Sequence, residues 1–252
     1  MIRKVKVIRW QGEPIETEDY VCVEETFEIF AVHEGQERFI AEVPASPSQL
    51  KELGAGFLLC EGFAEREDIM DVRVKGNRIY VEVRKLPAPC ELMKRYSVCG
   101  DPHMTRTGKI KWPHTGELKV SPDLILRISS TMTTLPATWR KTGGTHWAAL
   151  FDLSGNLVAF SEDIGRHNAV DKVVGHAVLK GIDLGKVILA SSGRMPYGMV
   201  KKAINTGIPI LVTKSPPTDR GVELARKYRL TLIGFARGRR FNVYAGEDKL
   251  VF

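Results

Sequence analysis

The 252-residue chain has no run of 18 or more apolar residues, and its richest stretches, such as KVILASS at 186–192, are only strand-length. A helical membrane span is thereby excluded. The N-terminal MIRKVKVIRW lacks the apolar core and the small-residue cleavage site of a signal peptide, and it alternates basic with apolar residues as a strand does. A cytoplasmic protein without a membrane partner is expected. Cysteine is sparse. Cys22, Cys60, Cys90 and Cys99 form no disulfide framework and are expected as thiols in a reducing compartment. No C-x2-C knuckle occurs, so Cys90, Cys99, His103 and His114 make a poor zinc set and no metal is expected. The P-loop and G-x-G-x-x-G spacings are also missing, which leaves ATPase and dinucleotide dehydrogenase chemistry unsupported. Asn and Gln are few beside Lys, Glu and Arg, a weak sign of a thermophilic source.

Acidic residues fall short of basic ones, 30 against 37, for a net charge of +7. The excess favours an anionic partner. Its basic residues are dispersed and no binding motif with stacking aromatics accompanies them, so nucleic acid is not the expected partner.

Two halves with different rhythms meet near residue 120. Residues 1–120 read as a strand-rich α+β domain. Alternation in YVCVEETFEIFAV and ERFIAEV predicts strands, and Gly76-Asn77 predicts a hairpin turn. PASPSQLKELGAGFLLCEGF predicts a helix capped by Ser46 or Ser48 and ended by Gly62. From Pro87 to Ser121 the pattern breaks into Pro, Gly, His and basic residues, a long irregular stretch around Cys99. Residues 121–252 then alternate helices and strands. Ser121-Pro122 opens one helix, a hairpin spans 146–165, and helices at 166–180, 196–206 and 217–229 separate the strands KVILASS, IPILVTKS and TLIGFAR. This alternation predicts a layered α/β sheet.

Three junctions in the second half combine glycine with small polar and basic residues. They carry Gly143, Gly144 and His146; Gly165, Arg166, His167, Asn168, Asp171 and Lys172; and Ser192, Gly193 and Arg194. Backbone N–H groups and helix starts at such strand ends suit phosphate. The plainer alternative is that the glycines only turn the chain. Phe235, Ala236, Arg237, Gly238, Arg239 and Arg240 form a fourth candidate, where forked guanidinium donors flank a small residue. A solvated basic turn is the alternative there. Cys22 and Cys60 lie in apolar-patterned segments and are expected to fill cores. Cys99 instead stands among Lys94, Arg95 and His103, cations that raise its thiolate fraction. The residues alone support a reactive thiol and an anion site.

Taken together, GFLLCEG (56–62), SVCG (97–100), TGGTH (142–146), EDIGRHNAVDK (162–172), SSGR (191–194) and FARGRRFNVY (235–244) resemble the formate dehydrogenase accessory sulfurtransferase family, FdhD. The resemblance implies a cytidine-deaminase-like three-layer α/β/α domain at the C-terminus and a homodimer. It implies that Cys99 accepts sulfur from a cysteine desulfurase as a persulfide and passes it to a molybdenum or tungsten bis-molybdopterin guanine dinucleotide cofactor. That cofactor serves the catalytic subunit of formate dehydrogenase. The four candidate segments, 143–146, 165–172, 192–194 and 235–240, would hold its guanine dinucleotide, with GDP as a mimic. Zinc deaminases need H-x-E and P-C-x-x-C. His146 is followed by Trp147 and Ala148, and SSGRMP carries no cysteine, so the pocket would be free of metal. One departure stands out: many members carry C-x-x-C, and Tyr96 occupies the first position. Cys90 is the nearest substitute. A cofactor-binding chaperone with an incidental Cys99 is the alternative reading.

Overall fold

The computed structural model describes residues 1–88, 93–94 and 118–251. Strands β1 (Ile2–Trp10) and β2 (Pro14–Cys22) pair as a separate antiparallel hairpin. Next come β3 (Glu25–His33), β4 (Gln36–Ala45), α1 (Leu50–Cys60), β5 (Ile69–Lys75), β6 (Arg78–Val83) and the short β7 (Met93–Lys94). These strands form a sheet of order β5-β6-β3-β4-β7. Gly76, with φ near +59°, makes the β5–β6 turn. The apolar face of α1 places Leu53, Phe57 and Leu58 against Ile29, Ile79 and Val81, completing the first core.

The second part begins with α2 (Pro122–Thr134), whose Leu124 N–H donates to the Ser121 hydroxyl at 3.2 Å, the expected cap. Then follow α3 (Ala137–Thr142), β8 (His146–Asp152), β9 (Leu157–Asp163), α4 (Arg166–Leu179), β10 (Val187–Ser191), α5 (Tyr197–Asn205), β11 (Ile210–Thr213), α6 (Asp219–Lys227), β12 (Thr231–Arg237) and β13 (Arg240–Ala245). The sheet order is β13-β12-β11-β10-β8-β9, with β10, β11 and β12 parallel. Alternate strand residues face opposite ways, so each face needs its own cover. Ala149, Phe151, Ile188 and Val212 pack under α2, while Leu150, Leu189 and Leu211 pack under α4 and α5. The result is the expected α/β/α layering.

Helices α1 and α4 join the two parts by backbone contact. A Cβ on Gly56 would lie 1.7 Å from the Asp171 carbonyl oxygen, and one on Gly175 would lie 1.9 Å from that of Glu52. Only glycine fits at this crossing. Two buried lysines flank it. Lys172 Nζ donates to Asp163 at 2.6 Å and to the Ser46 carbonyl at 3.0 Å. Lys202 Nζ bridges Asp171 at 2.6 Å and Glu61 at 2.7 Å.

One expected cap is different. Gln49, in a left-handed conformation with φ near +51°, precedes α1, and no side chain caps the helix. Ser46 is engaged elsewhere: its N–H donates to Asp163 at 3.1 Å, and its hydroxyl accepts from the Ile164 N–H at 3.2 Å. The serine docks the first part on the second instead of starting a helix.

Candidate functional site

The site follows from the strand directions. β10, β11 and β12 end at one edge of the large sheet, β9 ends there, and antiparallel β8 begins there. Ligands of open α/β sheets collect at such carboxyl edges. A cavity of about 630 Å³ lies at this edge, lined by Gly143, Gly144, His146 and Ser192 among the expected residues. Thr145, Trp139, Trp147 and Lys214 also line it.

The cavity is bordered by cations. Burial pulls the His146 imidazole below its ordinary range, and the positive charges of Arg166 and then Arg194 push it further the same way. His146 Nδ1 lies 3.3 Å from the Ser192 hydroxyl, which accepts from the Trp147 N–H at 3.0 Å. Arg166 is buried and lays its stem on Gly193, where a Cβ would come within 2.8 Å of Arg166 Cδ. Arg194 is exposed. The Lys214 ammonium sits 5.6 Å from the Trp147 ring centre, and partial burial lowers its pKa. Trp139 leaves 48% of its surface exposed beside this group. An anion with a planar ring finds cations and an indole here.

Hydrogen bonds brace the edge loops. The Thr213 hydroxyl donates to the Gly193 carbonyl at 2.7 Å, the Ser215 hydroxyl donates to the Ser192 carbonyl at 2.7 Å, and the Phe235 N–H donates to the Ser215 carbonyl at 3.4 Å. Phe235 thus reaches the cavity loop through Ser215. Its φ near +52° is unusual for a side chain of this size, and it stands in a register shift between Gly234 and Arg237. The Ala236 carbonyl accepts from the Ser129 hydroxyl at 2.6 Å, and the Arg237 guanidinium lies 5.4 Å from the Phe235 ring centre. Arg237, Gly238, Arg239 and Arg240 are exposed at the turn into β13 and do not line the cavity.

The 162–172 segment divides its work. Gly165 precedes α4, and its N–H donates to Asp163 at 2.9 Å. Arg166 is buried near enough to His146 for its charge to act on that imidazole, and His167 is buried in the first turn of α4. Asn168, Asp171 and Lys172 are away from the cavity. Asn168 donates to the Pro44 carbonyl at 2.8 Å and to Asp163 at 2.9 Å, while Asp171 and Lys172 belong to the buried pairs beside the helix crossing.

Among the thiols, Cys60 is buried, and burial followed by the Asp171 charge raises its pKa well above the ordinary value. It fills a core as expected. Cys22 does not: it is half-buried at the end of β2, its sulfur 3.0 Å from the Thr142 hydroxyl and packed on Gly144. Cys90, Tyr96, Cys99, His103 and His114 lie outside the described residues. Sequence reading missed Lys214, which follows a strand end and so obeys the same edge rule. It also missed Trp139 and Glu162, whose roles depend on the position of α3.

The layering and the edge cavity define a mixed α/β protein with a cation-bordered pocket suited to an anion. Among the described residues no helix is long and apolar enough to cross a membrane. The model of the FdhD/NarQ family matches residues 23–251, and the chain belongs to that family. It is 40% identical over 245 residues to protein FdhD of Methanocaldococcus jannaschii, covering 97% of this chain and 96% of the relative. It is 36% identical over 261 residues to the sulfur carrier protein FdhD of Sulfurisphaera tokodaii, covering 99% of each. A crystal structure from Desulfotalea psychrophila, provisionally designated a formate dehydrogenase accessory protein, superposes with a TM-score of 0.79. The two share 26% identity, covering 100% of this chain and 99% of the other.

Proposed function

We propose that the protein is a sulfur carrier for formate dehydrogenase maturation, with Cys99 holding the sulfur as a persulfide. Membership of a family whose sulfur-carrier relatives align along nearly the whole chain carries the reading. The Cys99 thiolate attacks the outer sulfur of a persulfide on a cysteine desulfurase. The donor's S–S bond breaks, the donor leaves as a thiolate, and a new S–S bond forms on Cys99 with no net oxidation. In the second transfer the Cys99 S–S bond breaks and Cys99 leaves as a thiolate. The outer sulfur, reduced to sulfide by two electrons from the reduced metal of the substrate, passes to that substrate, a molybdenum or tungsten bis-molybdopterin guanine dinucleotide. The edge cavity, with His146, Ser192, Arg166 and Arg194 around it, is the proposed seat of a guanine nucleotide arm, and Phe235–Arg240 contributes cations along the same edge. The first partner is the desulfurase and the second is the catalytic subunit of formate dehydrogenase.

A homodimer is part of the proposal. The β1–β2 hairpin exposes 72% of Ile8 and 73% of Trp10 on one face, an apolar surface suited to cover by a second copy. Light scattering on the wild type is expected to give a dimer at micromolar concentration; a monomer refutes this element. Complementation tests the main reading. In a host lacking its own family member, the wild type restores formate dehydrogenase activity and Cys99→Ser does not. Full restoration by Cys99→Ala favours the chaperone alternative.

A further inference from the structure

Glu162 does not line the edge cavity, yet it holds one of its walls. It sits opposite Trp147 on β9 and is buried beneath α3. One carboxylate oxygen accepts from the Trp139 N–H at 2.7 Å and the Thr145 hydroxyl at 3.0 Å. The other accepts from the Thr138 N–H at 2.9 Å. These donors bracket α3 and the glycine pair that follows it, the span that supplies Trp139, Gly143, Gly144 and Thr145 to the cavity. Gly143 turns there with φ near +65°, so the loop has little rigidity of its own. On its outer side the wall is met by Cys22, against Thr142 and Gly144.

The adjacent carboxylate points to the opposite sheet face and does a different job. Asp163 accepts from Ser46, Gly165, Asn168 and Lys172 at the junction of the two parts. Alternation along a strand thus gives two neighbouring acids two separate tasks. We infer that Glu162 is a positioning residue for the edge cavity, fixing the Trp139–Thr145 wall without touching the ligand. The inference rests on the proposed nucleotide seat.

The test is GDP titration by calorimetry well below the unfolding temperature, with Trp139 emission recorded in parallel. In Glu162→Gln, the amide oxygen keeps the Trp139 and Thr145 contacts, but the amide nitrogen meets the Thr138 N–H, donor against donor. Binding is expected to weaken roughly tenfold or more, and Trp139 emission is expected to shift already in the free protein. Trp139→Phe assigns that signal. Thr145→Val, which removes one donor, is expected to weaken binding by a smaller factor, and Thr145→Ser, which keeps the hydroxyl, to restore it. This pair keeps the test valid if Glu162→Gln fails to fold. Wild-type binding with unchanged affinity and emission in Glu162→Gln overturns the positioning role and leaves the nucleotide seat standing. Unchanged affinity in Thr145→Val overturns it likewise. If the wild type does not bind GDP, the seat itself fails, and the inference fails with it.

Discussion

Replacing Gly175 with alanine puts a methyl group where backbone already lies. Its carbon would sit 1.9 Å from the Glu52 carbonyl oxygen and 2.8 Å from the Gly56 nitrogen. An ordinary C···O contact needs about 3.3 Å, so the helices must part by roughly 1.4 Å. In an unpacked helix the same change would stabilise by up to about 1 kcal/mol through helix propensity, so the sign of the effect is diagnostic. Overpacking by one methyl group typically costs about 1–3 kcal/mol. Parting α1 from α4 also strains Lys202, which holds Asp171 of one helix and Glu61 beside the other. Disrupting a buried pair costs about 3–5 kcal/mol. A net loss of about 3 kcal/mol is expected, which for a chain of this size lowers the unfolding midpoint by roughly 6–12 °C. Thermal unfolding followed by circular dichroism measures it. An unchanged or higher midpoint refutes the crossing as described.

Lys172→Met leaves Asp163 buried without its cation and is expected to destabilise by about 3–5 kcal/mol, while GDP affinity of the folded variant stays unchanged. Reduced affinity with an unchanged midpoint would return Lys172 to the ligand set. His146 is held below its ordinary value, so the unfolded chain binds more protons and stability falls as pH drops through about 6.5 and below. His146→Gln removes that component. Its midpoint is expected to fall less than the wild type's between about pH 7 and about pH 5, and parallel curves would contradict the sign.

Much of the second part was readable because its periodicities are local. Ser121-Pro122 capped α2, and the alternation of helix with short apolar strand gave the layers. The edge rule pointed to Gly143, Gly144, His146 and Ser192, which line the edge cavity, since a glycine-bearing strand end carries its geometry in neighbouring residues. Asn168, Asp171 and Lys172 do not line the cavity, and the reason is physical. Polar residues in the first turns of a helix look ligand-facing until the partner helix is known, and α1 comes from more than a hundred residues upstream. Ser46 misled in the same way, since its partner Asp163 is 117 residues distant. Gly56 and Gly175 mark a crossing that only tertiary packing shows. Cys22 sits in an alternating strand, but among the described residues its hairpin pairs with neither larger sheet, so the pattern overstated its burial.

The decisive question is where the sulfur is carried. The protein is incubated with a cysteine desulfurase and cysteine, then freed of small molecules and weighed intact. The wild type is expected to gain the mass of one sulfur atom, released by reductant and mapped to the peptide containing Cys99. Cys99→Ser is expected to gain none, and Cys22→Ser and Cys60→Ser to load as the wild type does. Equal loading of wild type and Cys99→Ser would contradict the account.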